Sequence, residues 1–187
     1  VAAEVADRLP GVRKFMLGGT IPGYDSGEDA VRAMPATPVA DETPGADLLY
    51  SSGTTGRPKG VKRALAGGKL TDVSPFLMLA KMLYSFDENS IYLSPAPLYH
   101  AAPLRYNMTV HNFGGTCIVM EHFDAEDALR QIQKHKTTHS QWVPTMFVRM
   151  LKLPEDVRRK YDVGSMKGAI HAAAPCPASR SRSWPWP

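Results

Sequence analysis

The sequence predicts an α/β domain, a mostly parallel sheet flanked by helices. Three observations lead there. Short apolar runs bounded by Gly, Pro and Asp recur along the second half of the chain, as buried strands do. Between them lie segments with helical spacing of apolar residues and clear start signals at Ser74-Pro75, Asp124, Pro144 and Pro154. Strands that alternate with helices need crossover connections, and these place helices on the faces of a parallel sheet.

Val1, Val5 and Leu9 share a helical face over residues 1–9, and Pro10-Gly11 ends it. Val12 to Leu17 is expected to be a strand. From Gly18 to Gly45 the chain is rich in Gly, Pro, Asp and Thr, with one or two helical turns expected over Glu28 to Met34. So long a loop is uncommon inside a compact domain and points to a segment lying over a larger body. Ala46 to Tyr50 is apolar and leads into a Gly/Ser/Thr stretch that Val61 leaves.

Ser74 and Pro75 supply a cap and a first-turn proline for a helix whose apolar face carries Phe76, Leu77, Leu79, Ala80, Leu83 and Tyr84. Strands are expected at Ile91 to Ser94, Thr116 to Met120, His139 to Val143 and Gly168 to Ala172. A helix is expected over Pro103 to Asn112, broken by Gly114-Gly115. Asp124 caps another helix, with Glu126 and Asp127 in its first turn and Lys134 and Lys136 near its end, as the helix dipole favours. Pro144 starts a helix running to about Leu153, and Pro154 starts the next.

A chain of 187 residues is long enough for one domain with a real core. Hydrophobic residues at 43% and charged residues at 21% are ordinary for a globular protein. The formal charge of +4 comes from short scattered clusters, with no nucleic-acid-binding signature, so no nucleic-acid partner is expected. No apolar run is long enough for a transmembrane segment. Two cysteines, Cys117 and Cys176, make no disulfide framework, and no signal peptide is evident, so a cytoplasmic location is expected. The first residue is Val1, and the chain is expected to be a piece of something longer.

Residues 50–61, YSSGTTGRPKGV, carry the chemistry. They gather four hydroxyls (Ser51, Ser52, Thr54, Thr55), three glycines (Gly53, Gly56, Gly60) and two cations (Arg57, Lys59). Glycines let a backbone turn with positive φ and bring N–H groups near a ligand. Polyphosphate oxygens are all acceptors, so exposed amides, hydroxyls and an ammonium suit them. The spelling departs from a Walker A loop, since Pro58 stands where its second glycine belongs and Gly60 follows Lys59. Pro58 fixes its own φ and pushes Arg57 towards extended geometry, so a turn between two extended segments is expected.

This stretch resembles the nucleotide-phosphate loop of the adenylate-forming enzymes, the superfamily of acyl-CoA synthetases, luciferases and peptide-synthetase adenylation domains. The spelling LLYSSGTTGRPKGVKRAL is most similar to the fatty-acyl-CoA synthetase branch. YLSPAPLYHAAPL resembles the family's second characteristic stretch and implies that His100 lies near the acyl pocket and the adenylate. FDAEDALRQIQKHKTTHSQWVPTMFVRML resembles the segment before the adenine site, with Trp142, Val143 and Pro144 either pocket wall or plain core. IHAAAPCP resembles the adenine-lining turn, with Ala172, Ala173 and Ala174 small enough for a flat base to approach the backbone.

The resemblance implies a partial N-terminal AMP-binding domain over residues 1–177, followed by a tail at 178–187. The tail's abrupt Ser/Arg/Trp/Pro composition fits an out-of-register translation or a cloning scar. It further implies ATP, Mg²⁺ and coenzyme A as reaction partners of a carboxylic acid. Ser51, Ser52, Gly53, Thr54, Thr55, Gly56 and Lys59 then belong to the ATP phosphates, with Thr54 or Thr55 beside the metal and Thr54, Lys59 and His100 in catalytic roles. The family's Y-G-x-T-E stretch, its ribose-holding aspartate and its C-terminal lysine domain do not follow Pro177. The expectation is therefore acid–thiol ligation by a longer parent, with no turnover by these residues alone. The alternatives are an aryl-CoA ligase, a carrier-loading adenylation domain, or a non-catalytic nucleotide-binding remnant. His135 and His139 flank a predicted helix end, which argues against a shared metal.

Overall fold

The computed structural model describes residues 2–46, 48–51, 56–62, 64–65, 67–172 and 174; at Val5 and Ser51 only the backbone is described. The chain divides into two compact units, one of residues 1–45 with 65–70 and one of residues 46–64 with 71–187.

The first unit is built from short pieces: α1 (Ala2–Ala6), β1 (Phe15–Met16), β2 (Asp25–Ser26) and α2 (Gly27–Arg32). β1 and β2 pair in parallel, Phe15 against Asp25. Ser26 Oγ accepts from the Asp29 amide at 3.1 Å and caps α2. The Gly18 amide donates to Glu28 Oε1, and this bond, first among the causes, lowers the Glu28 pKa. The expected strand over 12–17 shrinks to Phe15–Met16, and the expected helix over 1–9 to Ala2–Ala6.

In the second unit a hairpin, β3 (Leu48–Ser51) and β4 (Lys59–Lys62), precedes α3 (Pro75–Tyr84). There follow β5 (Ile91–Ser94), α4 (Ala101–Asn112), β6 (Thr116–Val119), α5 (Ala125–His135), β7 (His139–Trp142), α6 (Pro144–Leu151), α7 (Glu155–Arg159) and β8 (Gly168–His171). Strands β5 to β8 form a four-stranded sheet in the order β6-β5-β7-β8, every pair parallel. A parallel sheet needs cover on both faces, and side chains alternate along each strand to supply two cores. Leu93 and Trp142 join Leu129 and Ile132 of α5 and Met146, Phe147 and Met150 of α6 on one face. Tyr92 and Ile170 join Ala80 of α3, Phe86 and Val110 of α4 on the other.

The start signals act as expected. Ser74 Oγ accepts from the Leu77 amide at 3.2 Å, and Asp124 Oδ1 from the Asp127 amide at 2.8 Å. Helix α4 begins at Ala101, two residues before Pro103. The first turn of a helix has no use for its N–H groups, so a proline is tolerated there. Gly114 ends the turn after α4 at φ 82°, and a Cβ on Gly115 would lie 2.7 Å from the Ser90 carbonyl oxygen. The expected apolar face of α3 is only partly covered: Ala80 is buried, Phe76, Leu77 and Tyr84 are half-buried, and Leu79 and Leu83 are exposed. Among the described residues no helix is long and apolar enough to cross a membrane.

Candidate functional site

The two described ends of the Gly/Ser/Thr stretch belong to the β3–β4 hairpin. Leu48 pairs with Lys62, Leu49 with Val61, Tyr50 with Gly60 and Ser51 with Lys59, all antiparallel. The two extended segments expected around the turn are therefore present. Ser52, Gly53, Thr54 and Thr55 lie outside the described residues, as does the side chain of Ser51. Gly56 has φ 80°, the left-handed region that glycine enters without steric cost.

Gly60 has a different role from the one expected. It sits in β4 under the Tyr50 ring, and a Cβ there would approach Tyr50 Cε1 to 3.0 Å. Its missing side chain makes room for a cross-strand aromatic ring rather than for a turn. Lys59 is exposed at the first position of β4 and forms no salt bridge among the described residues. An unpaired ammonium beside a turn is free to meet an anion.

Parallel pairing sends the other three sequence-predicted segments to one end of the sheet. The carboxyl end of β5 leads into the loop ending at His100, β7 into Val143 and Pro144, and β8 into Ala172 and Ala174. Ligands of open α/β sheets bind in the crevice at this end. β5 and β8 flank β7, so the His100 loop and the Ala172 segment leave strands about 10 Å apart. The Ala172 amide donates to the Trp142 carbonyl at 3.0 Å and prolongs the β7–β8 ladder into the small-residue turn. Ala174 is exposed, and Ala173 lies outside the described residues.

His100 is the N-cap residue of α4, with extended backbone and no side-chain capping bond. Its exposed ring lies 4.6 Å from that of Tyr99, centroid to centroid. It is thus available to a ligand at the carboxyl ends of the strands. Trp142 is fully buried between Phe123 and Phe147, at 6.4 and 6.0 Å, so it is core on its own face. Val143 and Pro144 are half-buried at the start of α6.

Three polar residues missed by sequence reasoning lie beneath the His100 loop. Asn107 of α4 donates from Nδ2 to Ser94 Oγ and to the Pro103 carbonyl, each at 2.8 Å. Gln141 of β7 donates from Nε2 to the Trp142 carbonyl at 3.1 Å. Among the described residues no side chain or backbone group donates to Asn107 Oδ1 or Gln141 Oε1. The available signal was a polar residue inside each apolar run, Ser94 ending IYLS and Gln141 within HSQW.

Electrostatics away from this end favour neutral groups. Burial raises the Tyr92 and Tyr106 hydroxyls far above the usual phenol range and pushes the Cys117 thiol up to about 11. His139, at the amino end of β7, is shifted down from 6.5, first by burial.

The family described as AMP-binding enzyme matches residues 6–185. The chain belongs to that family. It is 35% identical over 147 residues to acyl-CoA synthetase 7 of Caenorhabditis elegans, covering 72% of the chain and 26% of the relative. It is 31% identical over 133 residues to the mitochondrial medium-chain acyl-CoA ligase ACSF2 of Danio rerio, covering 70% and 21%. It is 29% identical over 142 residues to 4-hydroxybutyrate–CoA ligase 2 of Metallosphaera sedula, covering 76% and 25%.

Among solved structures, the N-terminal domain of FACL13 from Mycobacterium tuberculosis superposes with a TM-score of 0.66 at 25% identity, over 83% of this chain and 38% of that one. ATP-bound MatB from Rhodopseudomonas palustris gives 0.56 at 26% identity, over 73% and 26%. The amide bond synthetase McbA from Marinactinospora thermotolerans shares the fold with a TM-score of 0.72 at 24% identity, over 96% and 34%. The chain thus has the α/β fold of adenylate-forming N-terminal domains and spans about a quarter of the length of these curated relatives.

Proposed function

We propose that this chain is the nucleotide- and acid-binding part of an ATP-dependent acid–thiol ligase. A carboxylate oxygen attacks the α-phosphorus of ATP, the bond to the β-phosphate oxygen breaks, and pyrophosphate leaves as acyl-AMP forms. The thiol of coenzyme A then attacks the acyl carbonyl, releasing AMP, a proton and the acyl thioester. The family match and the names of the acyl-CoA synthetases and CoA ligases that resemble the chain support this reading.

The observation that carries it is the β3–β4 hairpin, which leaves Lys59 exposed and, among the described residues, without an ion-pair partner. Its ammonium balances charge on the β- and γ-phosphates, and the amides and hydroxyls of Ser51, Ser52, Gly53, Thr54, Thr55 and Gly56 complete the cradle. The hydroxyl of Thr54 or Thr55 suits a hard cation, and a Mg²⁺ held there would neutralise charge on the phosphates. At the carboxyl ends of the strands, His100 faces the reacting acyl group, while Ala172, Ala173 and Ala174 leave the backbone open to the adenine face. A fatty acid is the first substrate to test, because residues 48–65 spell the fatty-acyl branch. A reducing compartment such as the cytoplasm agrees with the half-buried free thiol of Cys117.

Pyrophosphate release from ATP, measured for the complete gene product with fatty, hydroxylated and aromatic acids, tests the reading. Acid-dependent release supports it, and ATP hydrolysis indifferent to every acid contradicts it. The 187 residues alone are expected to give no thioester. Formation of acyl-CoA by the purified chain would overturn that part.

A further inference from the structure

Helix α3 carries apolar side chains all the way round. Ala80 and Tyr84 belong to the core beside the sheet, and Phe76 and Leu77 are half-buried. On the other side Met78, Leu79, Met82 and Leu83 are 49–78% exposed, with Met78 and Met82, and Leu79 and Leu83, at the i, i+4 spacing of helix neighbours. Lys81 is the only charge among the ten residues of this helix.

Helix α5 shows how the same chain finishes a helix that faces water. It covers the opposite face of the sheet with Ala128, Leu129 and Ile132 and leaves Arg130, Gln133 and Lys134 exposed. Helix α6 follows suit, with Thr145 and Arg149 exposed. An amphipathic helix suits one packed face, whereas a helix that is apolar all round is a buried one. The outward Met and Leu residues of α3 therefore mark a second packing face. Helix α4 adjoins α3: Arg105 lies over the Phe76 ring at 5.2 Å, and the Tyr106 hydroxyl donates to that of Tyr84 at 3.3 Å. It too exposes an i, i+4 pair, Leu104 and Met108.

We propose that the Met78–Leu79–Met82–Leu83 face is an interior face of the parent protein, covered by a second layer of the same polypeptide from outside these 187 residues. The chain spans about a quarter of its curated relatives, which leaves ample polypeptide for such a layer. A lipid surface suits the face less well. Helices that lie on membranes oppose their apolar side with a strongly charged one, and α3 has Lys81 alone. A second copy suits it less well too, since four partly covered side chains fall short of the roughly 800 Å² that each partner of a stable dimer buries. This inference rests on the reading of the chain as part of a longer ligase and adds a face by which that part joins the rest.

The test is the melting of the complete gene product with Met82→Glu and with Met82→Ala, beside the same substitutions in the 187-residue chain. In the complete product a buried, unpaired carboxylate should lower the melting temperature by about 5 °C or more, and the shorter side chain of M82A should lower it less. In the 187-residue chain, where Met82 is 78% exposed, both should leave it within about 2 °C. If M82E yields no folded complete product, M82A still supplies the comparison. A complete product whose melting ignores both substitutions would overturn the inference. A dimer, or co-sedimentation with phosphatidylcholine vesicles, that M82E abolishes at unchanged melting temperature would assign the face to a second copy or to lipid instead. Melting needs no turnover, so failure of acid-dependent pyrophosphate release would remove the ligase reading without altering this result.

Discussion

The imidazole of His139 occupies the space that a side chain on Gly168 would need: a Cβ there would lie 2.9 Å from His139 Cδ2. The two residues face each other as the first register pair of β7 and β8. His139 is 2% exposed, its Nδ1 lies 2.9 Å from Thr138 Oγ1, and Phe86 sits edge-on to the ring at 4.8 Å. The ring therefore has little freedom to withdraw. Gly168→Ala should destabilise the second unit by about 1–3 kcal/mol, the usual cost of overpacking. Urea denaturation followed by circular dichroism measures it, and an unchanged midpoint would show that the ring yields.

Acid should weaken the same contact. Burial is the largest cause of the lowered His139 pKa; Lys167 lowers it further, while the Tyr84 backbone and Asp87 act in the opposite direction. The folded state then binds its proton less readily than the unfolded chain, whose histidine titrates near 6.5. The contribution is fully present above that value and is lost as pH falls below it, with a slope of at most about 1.4 kcal/mol per pH unit. Asp87 is also lowered, first by its bond from Ser90, but its window lies below the carboxylate value of 3.8 and is separate. Denaturation midpoints between pH 7 and 5 should fall in the natural chain and flatten in His139→Gln. Equal slopes in both would assign the effect elsewhere.

Cys117 should be a slow nucleophile. Its thiol is half-buried and shifted up to about 11 by burial, and its Sγ lies 3.6 Å from the Asn107 carbonyl. The thiolate does the reacting. In a Cys176→Ser chain at pH 8, iodoacetamide should alkylate Cys117 at least about tenfold more slowly when native than in urea. Comparable rates would mean that β6 opens freely.

The Asp124 cap should be worth a measurable share of stability. Its carboxylate accepts from the Asp127 amide at 2.8 Å at the start of α5, whose residues Ala125, Ala128, Leu129 and Ile132 are buried in the core. Asp124→Ala should cost about 1 kcal/mol and Asp124→Asn less, read from the same denaturation curves. Equal losses in both would favour charge over capping as the cause.

Much of this architecture could be read from the sequence because its signals are local. Ile91–Ser94 is a strand where the apolar run ends in Pro95, and α3 and α5 start where Ser74 and Asp124 stand. β1 was expected, but as part of a longer strand over Val12 to Leu17, and the two-residue strand β2 was not legible, since two residues carry no period. Gly60 looked like one more cradle glycine, because sequence does not distinguish a glycine needed for positive φ from one lying under Tyr50. The grouping of Ser94, Asn107 and Gln141 on one face was invisible for a related reason. Its meaning depends on β5 and β7 being neighbours although a helix, a strand and a second helix separate them in the chain.

The central claim is that the hairpin bearing Lys59 holds the phosphates of ATP. Calorimetry of the chain with ATP–Mg²⁺, run beside Lys59→Ala, tests it most directly. Losing one charge-assisted donor should weaken binding by on the order of 2–3 kcal/mol, with the fold unchanged because Lys59 is exposed. Saturable binding by the natural chain and that loss in K59A is the predicted result. Absence of binding, or equal affinity in the two chains, would contradict it.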